Sequence, residues 1–245
     1  MEYNNNSFLT TLIAGFAVCV FNYQCLQAQP NEYGLQVIKT KKEYKKTIAA
    51  DSLKRMVDLA KYIPGIQFDL RYSGHNNFMQ TRLYPVIKTT YARLAVAQKL
   101  LALQNELQPQ GLRLKIFDAY RPYSVTVQMW QPVKDSRYAA DPRQGSGHNR
   151  GIAIDLTIVN ANDSVAYNMG TNFDNFTDTA HHNFKNLDPL ILQNRAFLKS
   201  MMEKYGFIAL ETEWWHYYLP GAKNFELMNL PFHTLQKLSN PKQVK

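Results

Sequence analysis

The run Ser146-Gly147-His148-Asn149-Arg150-Gly151-Ile152-Ala153-Ile154-Asp155 carries both a strand pattern and the polar groups from which the rest of the chain can be read. From Gly151 to Ile158, the residues Ile152, Ile154, Leu156 and Ile158 fall at every second position, as on one face of a β-strand. Ala153, Asp155 and Thr157 take the other face. Asp155 is thus a carboxylate in an otherwise apolar strand, and burying it requires a cation or several donors. The turn from Asn149 to Gly151 breaks the pleat and can bring His148 round to face it. One imidazole and one carboxylate converging in this way supply two of the three protein ligands of a catalytic zinc site. A structural His–Asp hydrogen bond fits the same residues.

Two further phrases carry chemistry. In Glu213-Trp214-Trp215-His216-Tyr217-Tyr218, His216 can add a third ligand from a neighbouring strand, leaving a fourth position for water. Glu213 lies three residues earlier, so both can serve one site only if Glu213 precedes the strand or sits at a bulge. There it is available as a base, with the tryptophans raising its proton affinity. The bland alternative is an aromatic core strand with an exposed glutamate. In Asp118-Ala119-Tyr120-Arg121-Pro122, a strand-to-helix junction, Arg121 can face a developing oxyanion or simply pair with Asp118. The helical H-E-x-x-H signature of thermolysin-type zinc peptidases is absent.

Around these phrases, alternation predicts a strand over Ile66 to Tyr72, helical spacing predicts a helix over Tyr91 to Leu107, and Gly111 is its stop signal. Leu112 to Ala119 reads as a strand, Ser124 to Trp130 as a helix after Pro122, and Lys134 to Gly147 as a loop. Asp188 to Tyr205 reads as a long helix and Ile208 to Leu219 as a strand or hairpin. Helices and strands mix without strict β-α-β alternation. The fold class is therefore α+β, a small, mostly antiparallel sheet flanked by helices.

The chain has 245 residues, 45% hydrophobic and 13% aromatic, with 28 Lys+Arg against 19 Asp+Glu. That suits one sizeable domain over residues 51–245 and argues against disorder. Phe8 to Phe21 (FLTTLIAGFAVCVF) is short for a membrane span and predicts a signal peptide over residues 1–28, a retained membrane anchor being the alternative. Both cysteines, Cys19 and Cys25, fall within it. Cleavage near Ala28 would leave no thiol for disulfides, nucleophilic catalysis or zinc. Residues 29–50 form a basic N-terminal arm with Lys39, Lys41, Lys42, Lys45 and Lys46, expected to be a solvated arm or edge strand ahead of the domain. The net charge of +9 suits an exported, periplasmic protein attracted to an anionic envelope. No basic stretch is interleaved with stacking aromatics, so no nucleic-acid partner is expected, and no protein partner is inferred.

Together the three phrases resemble the VanX-type zinc D-alanyl-D-alanine dipeptidases, which share a fold with the Hedgehog signalling domain. The pattern S-x-H-x-x-G-x-A-x-D is met by Ser146, His148, Gly151, Ala153 and Asp155. The E-W-W-H motif is met by Glu213 to His216, and D-G-Y-R-P by Asp118 to Pro122 with Ala119 in place of glycine. Met169 to Asp174 followed by His181 and His182, and Tyr72 to Phe78, resemble further dipeptidase segments. The resemblance implies one zinc per chain on His148, Asp155 and His216, with Glu213 as general base and acid. It further implies Arg121 at the transition state and Asp174 as anchor for the substrate's free ammonium, with Tyr72, Tyr84 and Ser146 touching substrate.

The implied activity is hydrolysis of the small dipeptide D-Ala-D-Ala to D-alanine in cell-wall metabolism. A peptidoglycan-trimming D,D-carboxypeptidase or endopeptidase is one alternative, and Asp174 argues against it because an ammonium anchor excludes long acyl extensions. A zinc-stabilised binding domain without turnover is the other. Glu213 and Arg121 argue against that.

Overall fold

Nine strands and seven helices follow along residues 31–239, which, with Met1, are those that this computed structural model describes. The strands are β1 (Val37–Ile38), β2 (Met56–Asp58), β3 (Gln67–Phe68), β4 (Tyr91–Arg93), β5 (Leu112–Asp118), β6 (Ala153–Asn160), β7 (Ile208–Ala209), β8 (His216–Tyr218) and β9 (Leu227–Met228). The helices are α1 (Lys41–Ala50), α2 (Leu59–Tyr62), α3 (Leu94–Leu107), α4 (Tyr123–Val133), α5 (Gly147–Arg150), α6 (Pro189–Lys204) and α7 (Phe232–Leu238). Phe8 to Phe21, Cys19 and Cys25 lie outside the described residues. Among the described residues no helix is long and apolar enough to cross a membrane.

The central sheet has the order β3-β5-β6-β8-β7, antiparallel throughout except for the β3–β5 edge. Strand β6, at its middle, is buried on both faces from Ala153 to Val159. Helix α3 explains one side of the core. Its Val96, Ala97, Leu100, Leu103 and Leu107 recur at helical spacing and join Leu114 and Ile116 of β5 in one apolar cluster. Gln104, buried on the same helix, accepts the Leu114 N–H at 2.9 Å. Gly111, at φ +72°, then turns the chain into β5, a left-handed backbone that favours glycine.

Three expectations change. Only Gln67 and Phe68 of the strand expected over Ile66 to Tyr72 join the sheet. Tyr72 lies instead in a 3₁₀ turn, where Ser73 N bonds Leu70 O and Gly74 N bonds Arg71 O in place of ladder bonds. The helix expected over Tyr91 to Leu107 begins at Leu94, because Tyr91 to Arg93 pair antiparallel with β2. The basic arm is docked: β1 pairs in parallel with β9, and α1 is closed at its start by a Thr40–Glu43 capping box. Tyr44 anchors that helix, its ring buried and its hydroxyl accepting the Met56 N–H at 2.7 Å. The lysines stay exposed around it.

Candidate active site

Strand register aligns the first polar groups. Asp155 on β6 is the direct cross-strand partner of His216 on β8 and of Asp118 on β5. Direct partners in a sheet project from the same face. The Asp118 pairing depends on a bulge. Ile116 pairs with Leu156, but the next partner of β6 is Asp118, leaving Phe117 as the extra residue. Without the bulge, Asp118 would point to the opposite face.

His148 reaches this row from α5, a single turn. Ser146 caps it, its hydroxyl accepting the His148 N–H at 3.1 Å, and Gly151 ends it at φ +70°. A Cβ on Gly147 would stand 2.9 Å from the Cβ of Ala153, so only glycine lets the turn lie this close to β6. Asn149 fastens the turn to the neighbouring junction, donating to Arg121 O at 2.9 Å and to the Thr126 hydroxyl at 2.8 Å.

The His148 ring is fixed from behind. Its Nδ1 lies 2.7 Å from Ala119 O, and since a carbonyl only accepts, that nitrogen carries the proton. Nε2 is the nitrogen that faces the site, 3.3 Å from Asp155 Oδ2 and 3.3 Å from His216 Nδ1. His216 Nδ1 is 2.9 Å from Asp155 Oδ1. Ligand atoms of the three residues all lie within 4.8 Å of one another. Two imidazole nitrogens and a carboxylate oxygen, those of His148 and Asp155 buried and that of His216 half-buried, form a donor set that fits a divalent ion of borderline softness. Burial alone would push the Asp155 carboxyl up, but His148 and His216 outweigh it and hold the group below its usual range.

Glu213 sits in the turn between β7 and β8, before the strand, which is one of the two placements the three-residue spacing allows. Its carboxylate is 3.8 Å from His216 Nδ1. Burial pushes Glu213 well above the carboxylate range, Asp155 and Asp174 push it further, and His148 and Arg121 pull it back. Of the two tryptophans only Trp215 lines the cavity, while Trp214 turns away to donate to Thr171 at 2.8 Å.

Asp174 closes another side. It sits at φ +60°, an unusual backbone for a non-glycine residue. Tyr72 donates its hydroxyl proton to Asp174 Oδ1 at 2.9 Å, and Phe78 N lies 3.4 Å from Oδ2. The carboxyl is pushed up to about 7, chiefly by burial and against the Tyr72 hydrogen bond. Its segment is clamped from α6 by buried Arg195, which donates to the carbonyls of Met169, His181 and Thr179 at 2.7, 3.1 and 2.9 Å.

These groups share a cavity of about 490 Å³ whose lining includes Tyr72, Arg121, Ser146, His148, Asp155, Asp174, Glu213 and His216. Tyr84 is the exception among the residues singled out from sequence. It is buried behind Asp118, to which its hydroxyl donates, and does not line the cavity. The Arg121–Asp118 pair is also present, at 2.9 Å, while Arg121 still faces the cavity. Sequence reasoning missed the aromatic wall of Phe78, Phe176 and Tyr138, in which Tyr138 stacks on Phe176 at 5.0 Å. Tyr138 belongs to the loop between α4 and α5, which brings it into the lining of the site.

Residues 52–237 match the D-ala-D-ala dipeptidase family of M15 peptidases. The chain belongs to this family. It is 32% identical to the D-alanyl-D-alanine dipeptidase of Escherichia coli over 173 residues, covering 71% of this chain and 89% of that one. It is 32% identical to the D-alanyl-D-alanine dipeptidase of Enterococcus faecium over 183 residues, covering 66% of this chain and 89% of the relative. Among solved structures it is similar to VanYB in complex with D-Alanine-D-Alanine, at 14% identity and a TM-score of 0.35 over 54% of this chain and 74% of that one. As a member of the M15 family the chain is a metallopeptidase with a hydrolytic, dipeptidase-type activity.

Proposed function

We propose that this protein hydrolyses the free dipeptide D-Ala-D-Ala to D-alanine with one zinc ion bound by His148, Asp155 and His216. The observation that carries the reading is the meeting, in one cavity, of a three-donor metal set, a buried glutamate, an arginine and a separate carboxylate. Zinc held there would supply Lewis acidity to the scissile carbonyl and to the attacking water. Glu213 takes the proton from that water and later gives it to the leaving amine at the same carboxylate. Burial raises its affinity for that proton, and a cation held by His148, Asp155 and His216 would lower it. Arg121 faces the charge that develops on the tetrahedral oxygen. Asp174, held by Tyr72, receives the free ammonium in a charge-assisted hydrogen bond and so selects for an uncapped substrate. Ser146 contributes to the wall beside His148.

An exported, periplasmic location fits this substrate and the apolar run Phe8 to Phe21. The exposed lysines of α1 would favour an anionic envelope surface.

The zinc-loaded protein should cleave D-Ala-D-Ala rapidly and its N-acetyl form little or not at all. Equal rates on the two substrates would turn the reading into that of a carboxypeptidase and take Asp174 out of substrate selection.

A further inference from the structure

Tyr84 is buried, and its hydroxyl is committed to one group alone. It lies 2.9 Å from Asp118 Oδ1 and 3.1 Å from Oδ2, capping both oxygens of a carboxylate that is 0% exposed. From the other side, Asp118 Oδ2 accepts two bonds from Arg121, Nε at 3.1 Å and Nη2 at 2.9 Å. This side-on grip fixes the guanidinium plane through its Nε edge. Among the described residues no protein acceptor is bonded to Nη1, which leaves its two protons uncommitted in a side chain that lines the cavity. The Tyr72 ring lies against the same guanidinium, 5.1 Å from Arg121 Cζ to the ring centre, and limits its swing on that face.

We infer that Tyr84 is a positioning residue for the reaction: through Asp118 it sets the angle at which Arg121 presents Nη1 to the developing oxyanion. The inference rests on the hydrolytic reading above and assigns Tyr84 a task without substrate contact. Two effects follow from the geometry. The hydroxyl stops the Asp118 carboxylate from rotating about its Cβ–Cγ bond, so the plane that Arg121 matches is fixed. By drawing charge from both Asp118 oxygens, it also leaves more of the arginine's charge available to the transition state. The bulge at Phe117 is a precondition, because it puts Asp118 on the face of Asp155.

Tyr84→Phe tests this with little risk to folding. The ring and its contacts remain, with Phe232 at 4.9 Å and Tyr72 at 5.8 Å between ring centres. On D-Ala-D-Ala the variant should lose about tenfold in kcat, as outer residues that orient a reacting group typically do, with KM and zinc content unchanged. A tetrahedral phosphinate analogue of the dipeptide should weaken by the same factor, since it makes the interaction reserved for the transition state. In an Arg121→Ala background, Tyr84→Phe should cost nothing further. An unchanged kcat in Tyr84→Phe, or a loss that persists in full without Arg121, overturns the assignment. A wild-type protein that leaves D-Ala-D-Ala intact would instead defeat the hydrolytic reading, an outcome distinct from either.

Discussion

His216 Nδ1 stands 2.9 Å from Asp155 Oδ1 because the two residues are direct partners across the β6–β8 ladder. Sixty-one positions apart in the chain, they are neighbours through backbone register alone. A one-residue slip of β8 would turn His216 to the other face and put Tyr217 in its place. The register is protected because Tyr217 is itself buried, packing against His182.

Removal of His216 should therefore empty the metal set without unfolding the sheet. His216→Ala is expected to retain far less zinc than the wild-type protein, which should hold about one ion per chain. Elemental analysis after gel filtration checks this, and equal zinc in both proteins would remove His216 from the site.

Glu213 and Arg121 act on turnover rather than metal retention. Glu213→Ala should keep its zinc and lose about 10²–10⁴-fold in kcat, the usual contribution of a general acid–base group. Arg121→Ala should lower kcat more than it raises KM, because its partner charge develops in the transition state. Steady-state kinetics paired with metal analysis separates the two roles, and a Glu213 variant of normal activity would end the mechanism.

Asp174 predicts a pH dependence of stability in the metal-free protein. Its carboxyl is pushed up to about 7 in the fold, against about 3.9 in an unfolded chain. Between those values the folded state holds a proton that the unfolded state has released. The resulting stability is fully present below about pH 4 and is lost as pH rises through about 7. Asp174→Asn lacks this titration, so relative to it the wild type should weaken by about 2 kcal/mol across the window, the open cavity screening part of the charge. Urea melts of the chelated proteins at several pH values measure the gap, and a constant gap from pH 4 to 8 would contradict the assignment.

Gly147 predicts a steric effect on the metal set. A Cβ there would lie 2.9 Å from the Ala153 Cβ, a methyl on a buried strand that cannot swing away. Gly147→Ala must lift α5 from β6 and carry His148 with it. Zinc affinity should fall, and stability should drop by about 1–3 kcal/mol as for other overpacked sites. Titration against a competing chelator, with thermal melts of the metal-free protein, reads both, and unchanged affinity would mean that the turn relaxes without moving His148.

The chain's local order announced much of this fold. The alternation from Ile152 to Ile158 marked β6, the helical spacing from Leu94 to Leu107 marked α3, and the Glu213–His216 interval already required the glutamate to precede its strand or sit at a bulge. These are short-range properties, set by a period of two or of 3.6 residues and readable within one segment. The ligand types were legible for the same reason, since a carboxylate on an apolar strand must find a cation or donors.

What lay outside the sequence's reach depends on contacts between distant segments. Tyr44 turns a lysine-rich stretch into a docked helix through one hydrogen bond to Met56, and no local periodicity encodes that partner. The bulge at Phe117 flips Asp118 onto the face of Asp155, a one-residue slip that alternation along β5 does not reveal. Tyr84 lies 34 residues from Asp118, and only the packing of the folded chain moves it from the cavity wall to the rear of the arginine. Sequence by itself determined which chemical groups this protein holds and the periodicity of the segments that carry them. Tertiary structure decided which groups face one another, because register, bulges and docking are settled by burial summed over the whole core.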